Sequence, residues 1–254
     1  MMGALATMAT GRVSPRGDAE CLASLVSILQ LSDSTFPSGR YTLSHGLEAF
    51  AQSGRLPAPT DPSRLLALLS DSIRLGVAPS DGVAAACAHR ALRSDGTVDL
   101  PLLEGADRRL MAVKSVRAAR EASRRTGGAL LGAALAACGG APLCQLAERV
   151  KSGRSPGNHA VVLGLVSATL VIPRLDAVAS ELYAYAAGWV GAAVRLGLSD
   201  HLTAQALLHR GRQVIVESTV RALDADVAQI SACTPYVDVM SMRHEQAEVR
   251  LFAT

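Results

Sequence analysis

The sequence has few aromatic residues: three Phe, four Tyr and one Trp make up 3% of its 254 residues. Its apolar fraction nevertheless reaches 49%, because Ala, Leu and Val dominate. Ala and Leu are strong helix formers, and no segment shows the period of two that indicates a strand. A chain of this length can bury a sizeable core without disulfides or a structural metal. The composition therefore predicts a single all-α domain.

Disulfide and metal-site patterns are also missing. The five cysteines are scattered and odd in number, and the sequence contains no CxxC pair and no Cys/His cluster with zinc spacing. We therefore expect reduced thiols in a cytoplasmic protein. No metal site and no cofactor are predicted.

Strong charge of either sign is lacking, since the net charge is +3. The composition gives no strong case for a nucleic-acid partner. One basic stripe does recur at helical spacing, and the aromatic residues on which bases stack are absent beside it, which argues against nucleic acid. An acidic partner and an ordinary solvated face both remain open for this stripe, which consists of Lys114, Arg117, Arg120 and Arg124.

The span between Arg154 and Arg174 holds no charged residue. Its apolar part, residues 160–172, is shorter than the ~20 residues that a helix needs to cross a bilayer. We therefore predict a buried core helix and no membrane association. A peripheral membrane protein that uses a hairpin over residues 158–196 remains an alternative.

The first 19 residues have a short apolar run and no A-x-A cleavage site. We expect a disordered N-terminal extension there rather than a signal peptide. Helical periodicity follows over residues 20–233 and predicts a bundle of about eight to ten helices. The first helix is expected at residues 19–31, with one apolar face formed by Leu22, Leu25, Val26 and Leu29.

Two further features define the predicted bundle. Asp61 and Pro62 are typical of a helix start, and Gly76 is expected to end that helix. Residues 158–172 and 175–196 are apolar nearly all round, so we predict that they form the central hairpin of the core, rich in Ala, Leu and Val.

The last residues, 234–254, differ from the rest of the chain. They begin beside Pro235, which ends the preceding helix, and they mix charged residues with aromatic ones. We predict a partner-binding tail that is mobile in the free protein. Its ordering on binding would bury Tyr236, Leu251 and Phe252.

Known catalytic motifs do not fit the sequence. Ser44 lies in a window that lacks the first Gly of G-x-S-x-G, and its neighbour His45 points elsewhere on a regular backbone. His244 and Glu245 resemble the start of H-E-x-x-H, but Glu248 replaces the second His. No P-loop is present. We expect no enzyme activity, and a small serine hydrolase using Ser44 and His45 remains an alternative.

The irregular stretch FPSGRYTLSHGLE at 36–48 resembles the opening signature of the UreF family of urease accessory proteins. That signature has a second Gly where this chain has Arg40. The matching positions are Pro37, Gly39, Tyr41, Ser44, Gly46, Leu47 and Glu48.

Further blocks at 119–131, 158–170 and 183–197 are similar to the same family, and Arg195 lies in the third. The chain departs from the family pattern at 198–201. Its C-terminus resembles the family's at Pro235, Asp238, Ser241, His244, Glu245, Arg250, Leu251 and Phe252.

The resemblance implies an all-helical, dimeric protein without enzyme activity. Such a protein binds a second accessory protein, UreD or UreH, and recruits the GTPase UreG. The assembly delivers nickel to the urease apoprotein at the expense of GTP hydrolysis. The implied partner-binding residues are Pro37, Gly39, Tyr41, Ser44, Gly46, Glu48, Arg195, Tyr236, His244, Glu245, Arg250, Leu251 and Phe252.

Residues 36–48 are expected to serve docking rather than catalysis. Ser44 is predicted to cap a helix that begins near His45. Glu48 is predicted to stay available to a partner, and Arg40 and Tyr41 to project from a turn as interface anchors.

Overall fold

The computed structural model describes residues 15–33, 35–247 and 251–253. Helices dominate these residues, which contain no β-sheet, so the predicted all-α fold is confirmed. Two 3-10 turns (Arg40–Thr42 and Val227–Gln229) and a π-helix (Ser72–Gly82) complete the helical structure. The α-helices are α1 (Pro15–Ser32), α2 (Leu47–Gln52), α3 (Pro62–Asp71), α4 (Val83–Ala91), α5 (Leu100–Val113), α6 (Arg117–Ala137), α7 (Ala141–Lys151), α8 (His159–Thr169), α9 (Arg174–Arg195), α10 (His201–Leu223) and α11 (Pro235–His244).

The helix that begins at Pro62 does not end at Gly76. Asp61 caps it as predicted, by accepting a hydrogen bond from the Ser63 amide. The π-helix then carries the chain past Gly76 and Pro79 directly into α4. An α-helix interior tolerates proline poorly, because proline has no backbone N–H to donate. The wider turns of the π-helix accommodate Pro79 at this position. Gly76 is needed for packing instead, since a Cβ there would lie 3.1 Å from a methyl carbon of Thr234.

The predicted central hairpin is present, with α8 at the centre. All residues of α8 from His159 to Ser167 are buried. Gly164 allows α8 to approach α4, because a Cβ there would overlap the Ala85 carbonyl oxygen. In contrast, α9 is apolar nearly all round in sequence but exposes Leu175 and Tyr183. The core therefore has two clusters, one around α4 and α8 and one around α3, α9 and α10.

The first helix begins at Pro15, earlier than the predicted residue 19. Asp18 lies in its first turn, where a negative charge stabilises the positive end of the helix dipole. Residues 1–14 of the predicted N-terminal extension lie outside the described residues. The apolar face of α1 is exposed over its length: Leu22, Leu25, Val26 and Leu29.

No helix in the described ranges combines the length and the apolar character needed to cross a membrane.

Candidate partner-binding site

Two left-handed glycines shape the segment at 36–48. Gly39 (φ 74°) precedes the 3-10 turn and Gly46 (φ 82°) precedes α2. A Cβ on Gly46 would overlap the Ser241 hydroxyl, so this glycine lets α11 pack closely on α2. Gly46, and not Ser44, occupies the N-cap position of α2. The predicted Ser44 cap is therefore wrong, because the helix begins at Leu47, two residues later than expected.

Glu48 connects α2 to the C-terminal tail. Its carboxylate accepts hydrogen bonds from His244 Nε2 at 2.7 Å, from the Leu251 amide at 2.7 Å and from the Phe252 amide at 3.0 Å. Gln52 Nε2 donates a fourth at 3.1 Å. Only 3% of Glu48 is exposed. The prediction that Glu48 stays available to a partner is wrong, because the tail of the same chain occupies it.

The described end of the chain, residues 251–253, is here called the strap. The guanidinium carbon of Arg195 lies 4.0 Å from the centre of the Tyr41 ring and 4.4 Å from that of Phe252. Such cation–π contacts stabilise the layered arrangement. The Ala253 amide also donates to the Thr42 carbonyl at 2.9 Å. The strap therefore holds Phe252 buried against the 3-10 turn.

The tail helix α11 packs beside the same turn. Tyr236 meets Phe50 edge to face, with ring centres 5.0 Å apart, and accepts a hydrogen bond from Arg55 at 2.8 Å. Glu245 caps α6 by accepting from the Ala118 amide at 2.8 Å. The outer side of α11 remains apolar and exposed at Tyr236, Val239 and Met242, with Leu251 of the strap also exposed.

Arg40 points inward, contrary to the prediction that it projects as an anchor. It donates two hydrogen bonds to the Glu181 carboxylate, at 2.6 and 3.2 Å, and lies 3.0 Å from His159 Nε2. A carboxylate as buried as Glu181 requires a cation and hydrogen-bond donors. Because a guanidinium can only donate, Nε2 of His159 is the acceptor.

Arg40 lies at the wall of a cavity of about 180 Å³ that is partly open to the surface. The cavity lies among the 3-10 turn, the π-helix, α6, α9 and α11, so α11 forms part of its cover. A second ion pair lines it, in which Lys114 donates to both oxygens of Asp81 at 2.9 and 2.7 Å. The cavity wall is thus mostly apolar, and the two acidic side chains Asp81 and Glu181 on it are each paired with a cation.

The electrostatics of the cavity keep its imidazoles neutral. Burial lowers the pKa of His45 to about 3, and the nearby charges of Arg40 and Lys114 lower it further. Burial and Arg40 likewise lower the pKa of His159 to about 3. Burial raises the pKa of Glu181, although Arg40 opposes the rise. Burial also favours a higher pKa for Asp81, but the contacts with Lys114 and Ser80 bring this pKa below its ordinary value.

The arrangement does not favour hydrolysis. His45 is a weak base in this environment, its ring packs on Tyr185 with centres 4.4 Å apart, and it has a left-handed backbone (φ 54°). A general base works best with a pKa near the working pH. Among the described residues, no three His, Cys, Asp or Glu side chains are grouped so that they could hold a metal ion.

The sequence model of the UreF family matches residues 60–212. The chain belongs to the UreF family. A protein named urease accessory protein UreF from Trichodesmium erythraeum is 31% identical over 228 residues, which cover 90% of this chain and 96% of the relative. Its counterpart in Lachnoclostridium phytofermentans is 30% identical over 230 residues, covering 90% of this chain and 97% of the relative. A protein named UreF 2 from Brucella canis is 28% identical over 239 residues, or 91% of this chain and 92% of the relative.

Membership in the UreF family confirms the resemblance found in the sequence, and the structure shows where the signature residues lie. Most of them converge where the turn, α2, α9 and the tail meet: Tyr41, Gly46, Glu48, Arg195, Tyr236, His244, Leu251 and Phe252.

The remaining predicted residues are placed differently. Pro37 and Gly39 are exposed before the 3-10 turn, and Ser44 is buried. Glu245 reaches α6, and Arg250 lies outside the described residues.

The acidic residues of the cavity were not predicted from the sequence. Asp81 and Glu181 lie within otherwise apolar helical stretches, and this position in the sequence could have indicated that they are buried. Buried charges are rare unless they are paired. Their partners, Lys114 and Arg40, lie 33 and 141 residues away along the chain, so periodicity could not assign them.

Proposed function

We propose that this UreF-family protein is an adaptor in urease maturation. It bridges the UreD or UreH accessory protein and the GTPase UreG while nickel is delivered to the urease apoprotein. It acts in the cytoplasm without enzyme activity of its own, so nucleotide binding and GTP hydrolysis belong to the partner. The names of its relatives support the urease context.

The observation that carries the adaptor proposal is the apolar outer side of α11. Tyr236, Val239 and Met242 follow one another at helical spacing and are 41–49% exposed, although the inner side of the same helix is buried. Exposed apolar residues that lie together on a docked helix are typical of a partner-binding face. Leu251 of the strap is also exposed. We assign the outer side of α11 to the UreD or UreH protein.

Co-purification tests this assignment. Tagged protein is captured from cells that express the urease accessory proteins, as wild type, Val239→Asp and the control Leu202→Asp. Leu202 is 85% exposed at the start of α10, outside the tail. We expect Val239→Asp to lose the UreD or UreH protein and the control to retain it. Equal retention by both variants would contradict the assignment.

We also propose that the protein is a homodimer. The exposed apolar faces of α1 and α9 support this, because α1 has no buried side chain in its described part and packs on α9. A single helix of this length is marginal without tertiary packing. A second copy would cover Leu25 and Val26 of α1 and Tyr183 of α9.

Light scattering at micromolar concentration tests the dimer. The wild type should have twice the mass of the 26.3 kDa chain. The double variant Leu25→Glu, Val26→Glu should shift to the monomer mass because buried, unpaired charges are costly at an interface. A wild type that is monomeric would contradict the proposal.

A further inference from the structure

The 3-10 turn stands between the cavity and the strap. On its inner side, Arg40 donates two hydrogen bonds to Glu181 and contacts His159. On its outer side, Tyr41 stacks on Arg195 and accepts a hydrogen bond from it at 2.8 Å through its carbonyl. The 3-10 turn thus contacts the cavity on one side and the surroundings of the strap on the other.

The last residue of the turn contacts the strap directly. The Thr42 carbonyl accepts the Ala253 amide, and the Thr42 hydroxyl caps the turn by donating to the Gly39 carbonyl at 3.1 Å. Phe252 packs on the Arg195 guanidinium, which also contacts the Tyr41 ring. Loss of the strap would therefore remove both the amide donor to the Thr42 carbonyl and the Phe252 ring that packs on Arg195.

The turn is bounded by positions that can absorb a backbone rotation. Gly39 precedes it with φ 74° and no heavy atom of other residues near its Cβ position, and Leu43 follows it in an extended conformation. Hinge residues are typically a few loop positions of this kind. A single 3-10 turn is internally hydrogen-bonded, so its three residues move together.

The contact between Arg40 and Glu181 is a two-point ion pair at a buried carboxylate. A guanidinium that donates two hydrogen bonds to one carboxylate is fixed in geometry. If it withdraws, the Glu181 carboxylate is left buried and unpaired, and such a group must either be solvated or take up a proton. Withdrawal of Arg40 therefore changes the charge balance at the cavity wall, because Glu181 loses its cation.

We propose that Arg40 couples the strap to the cavity. Release of residues 251–253 from the turn and withdrawal of Arg40 from Glu181 and His159 form one cooperative transition, so that a displaced strap leaves Glu181 without its cation at the cavity wall. Arg40 is a positioning residue in this transition. The coupling is a property of the free chain and holds whether or not the tail binds a partner.

Native-state amide exchange tests the coupling in the full-length protein. Exchange at Phe252 and Ala253 is measured by NMR in the wild type, in Arg40→Met and in the matched control Lys114→Met. Both substitutions remove one cation from an ion pair of the same cavity, but only Arg40 belongs to the turn. We expect Arg40→Met to accelerate strap exchange about fivefold or more, the usual lower bound for coupled sites. The control should stay within about twofold of the wild type, well below that bound.

The reciprocal measurement protects the test against misfolding of the arginine variant. Coupling free energies act equally in both directions. Phe252→Ala should therefore move the His159 ring signals as Arg40 withdraws, whereas the exposed Leu202→Ala should not. The proposal is overturned if Phe252→Ala leaves the His159 signals unchanged. It is also overturned if Lys114→Met accelerates strap exchange as much as Arg40→Met does.

Discussion

Glu48 is the residue on which the two ends of the described chain meet. Its two carboxylate oxygens receive donors from α11, from the strap and from its own helix. A buried carboxylate with this many donors orders the groups around it, since each donor would otherwise lose its partner. The signature residue thus acts within the chain, where it holds the tail in place.

Replacement of Glu48 should loosen the tail. In Glu48→Ala, His244 and two strap amides lose their acceptor, which costs about 2–3 kcal/mol for buried groups of this kind. Amide exchange at Leu251 and Phe252 should report this loss, and the central helix α8 should remain protected. Glu48→Gln retains one acceptor oxygen and should lose less. Unchanged protection of the strap in Glu48→Ala would contradict the role assigned here.

The two left-handed glycines should differ in their response to alanine. Gly39→Ala meets open space and suffers only the strain of its positive φ, about 1 kcal/mol. Gly46→Ala has the same strain and also displaces Ser241 of α11, so we expect about 2–3 kcal/mol in total. Urea unfolding measures both. If the two variants lose equal stability, the contact between Gly46 and α11 is unimportant.

The neutral histidines of the cavity should make stability fall in mild acid. The pKa of His45 and of His159 is about 3 in the folded chain, against an ordinary value of 6.5. The unfolded state therefore binds more protons between pH 6.5 and 3, and stability is lost as the pH decreases through this range. Each histidine contributes a slope of about 1.4 kcal/mol per pH unit.

Urea unfolding between pH 7 and pH 5, at about half-unit steps, measures this slope. Because glutamine does not titrate, His159→Gln should have a shallower dependence than the wild type by about one proton. A wild-type stability that is flat over this interval would show that the cavity histidines are not shifted.

Among the elements, those defined by local patterns were predicted well. The continuous apolar run predicts α8, and Asp61 with Pro62 predicts the start of α3. The π-helix was missed, because rules for helix breakers treat Gly76 and Pro79 as stops, whereas the packing of the tail and of α10 stabilises the wider turn. Local sequence cannot specify such tertiary support.

The tail was the largest difference between the predicted and the observed elements. Its composition indicates a mobile segment, but its described part is packed through contacts with residues almost 200 positions earlier in the chain. Met240, His244 and Phe252 are buried there. Contacts so distant in sequence leave no periodic signal. The family signature did mark both halves of this contact, at 36–48 and at the C-terminus.

Deletion of residues 235–254 should keep the helical body but destabilise it. The deletion removes Met240 and Phe252 from the second core cluster and exposes Phe50 and the cavity. We expect the helical signal in far-ultraviolet circular dichroism to decrease only by the amount that α11 contributes. The melting temperature should decrease by about 5 °C or more. A truncated protein with an unchanged melting temperature would show that the tail is not part of the folded core.

At the scale of the whole molecule, two kinds of surface remain uncovered. The apolar faces of α1 and α9 suit a second copy of the chain, and the outer side of α11 suits another protein. The interior contains paired charges and neutral histidines, an arrangement that holds elements together and does not activate a nucleophile. The proposed adaptor therefore acts through its surfaces. Of these surfaces, the outer side of α11 belongs to a helix that contains residues of the family signature.

Nickel-dependent urease activation in cells that lack the endogenous protein tests the adaptor role most directly. The cells are complemented with the wild type, with Val239→Asp or with Leu202→Asp, and folding of each is checked by its melting temperature. Both substitutions place one charge on an exposed apolar residue, and only the first lies on α11. We predict that Val239→Asp folds normally but activates urease at least about tenfold less, as expected for loss of a hot-spot contact, while Leu202→Asp activates as the wild type does. Full activation by a folded Val239→Asp protein would contradict the proposal.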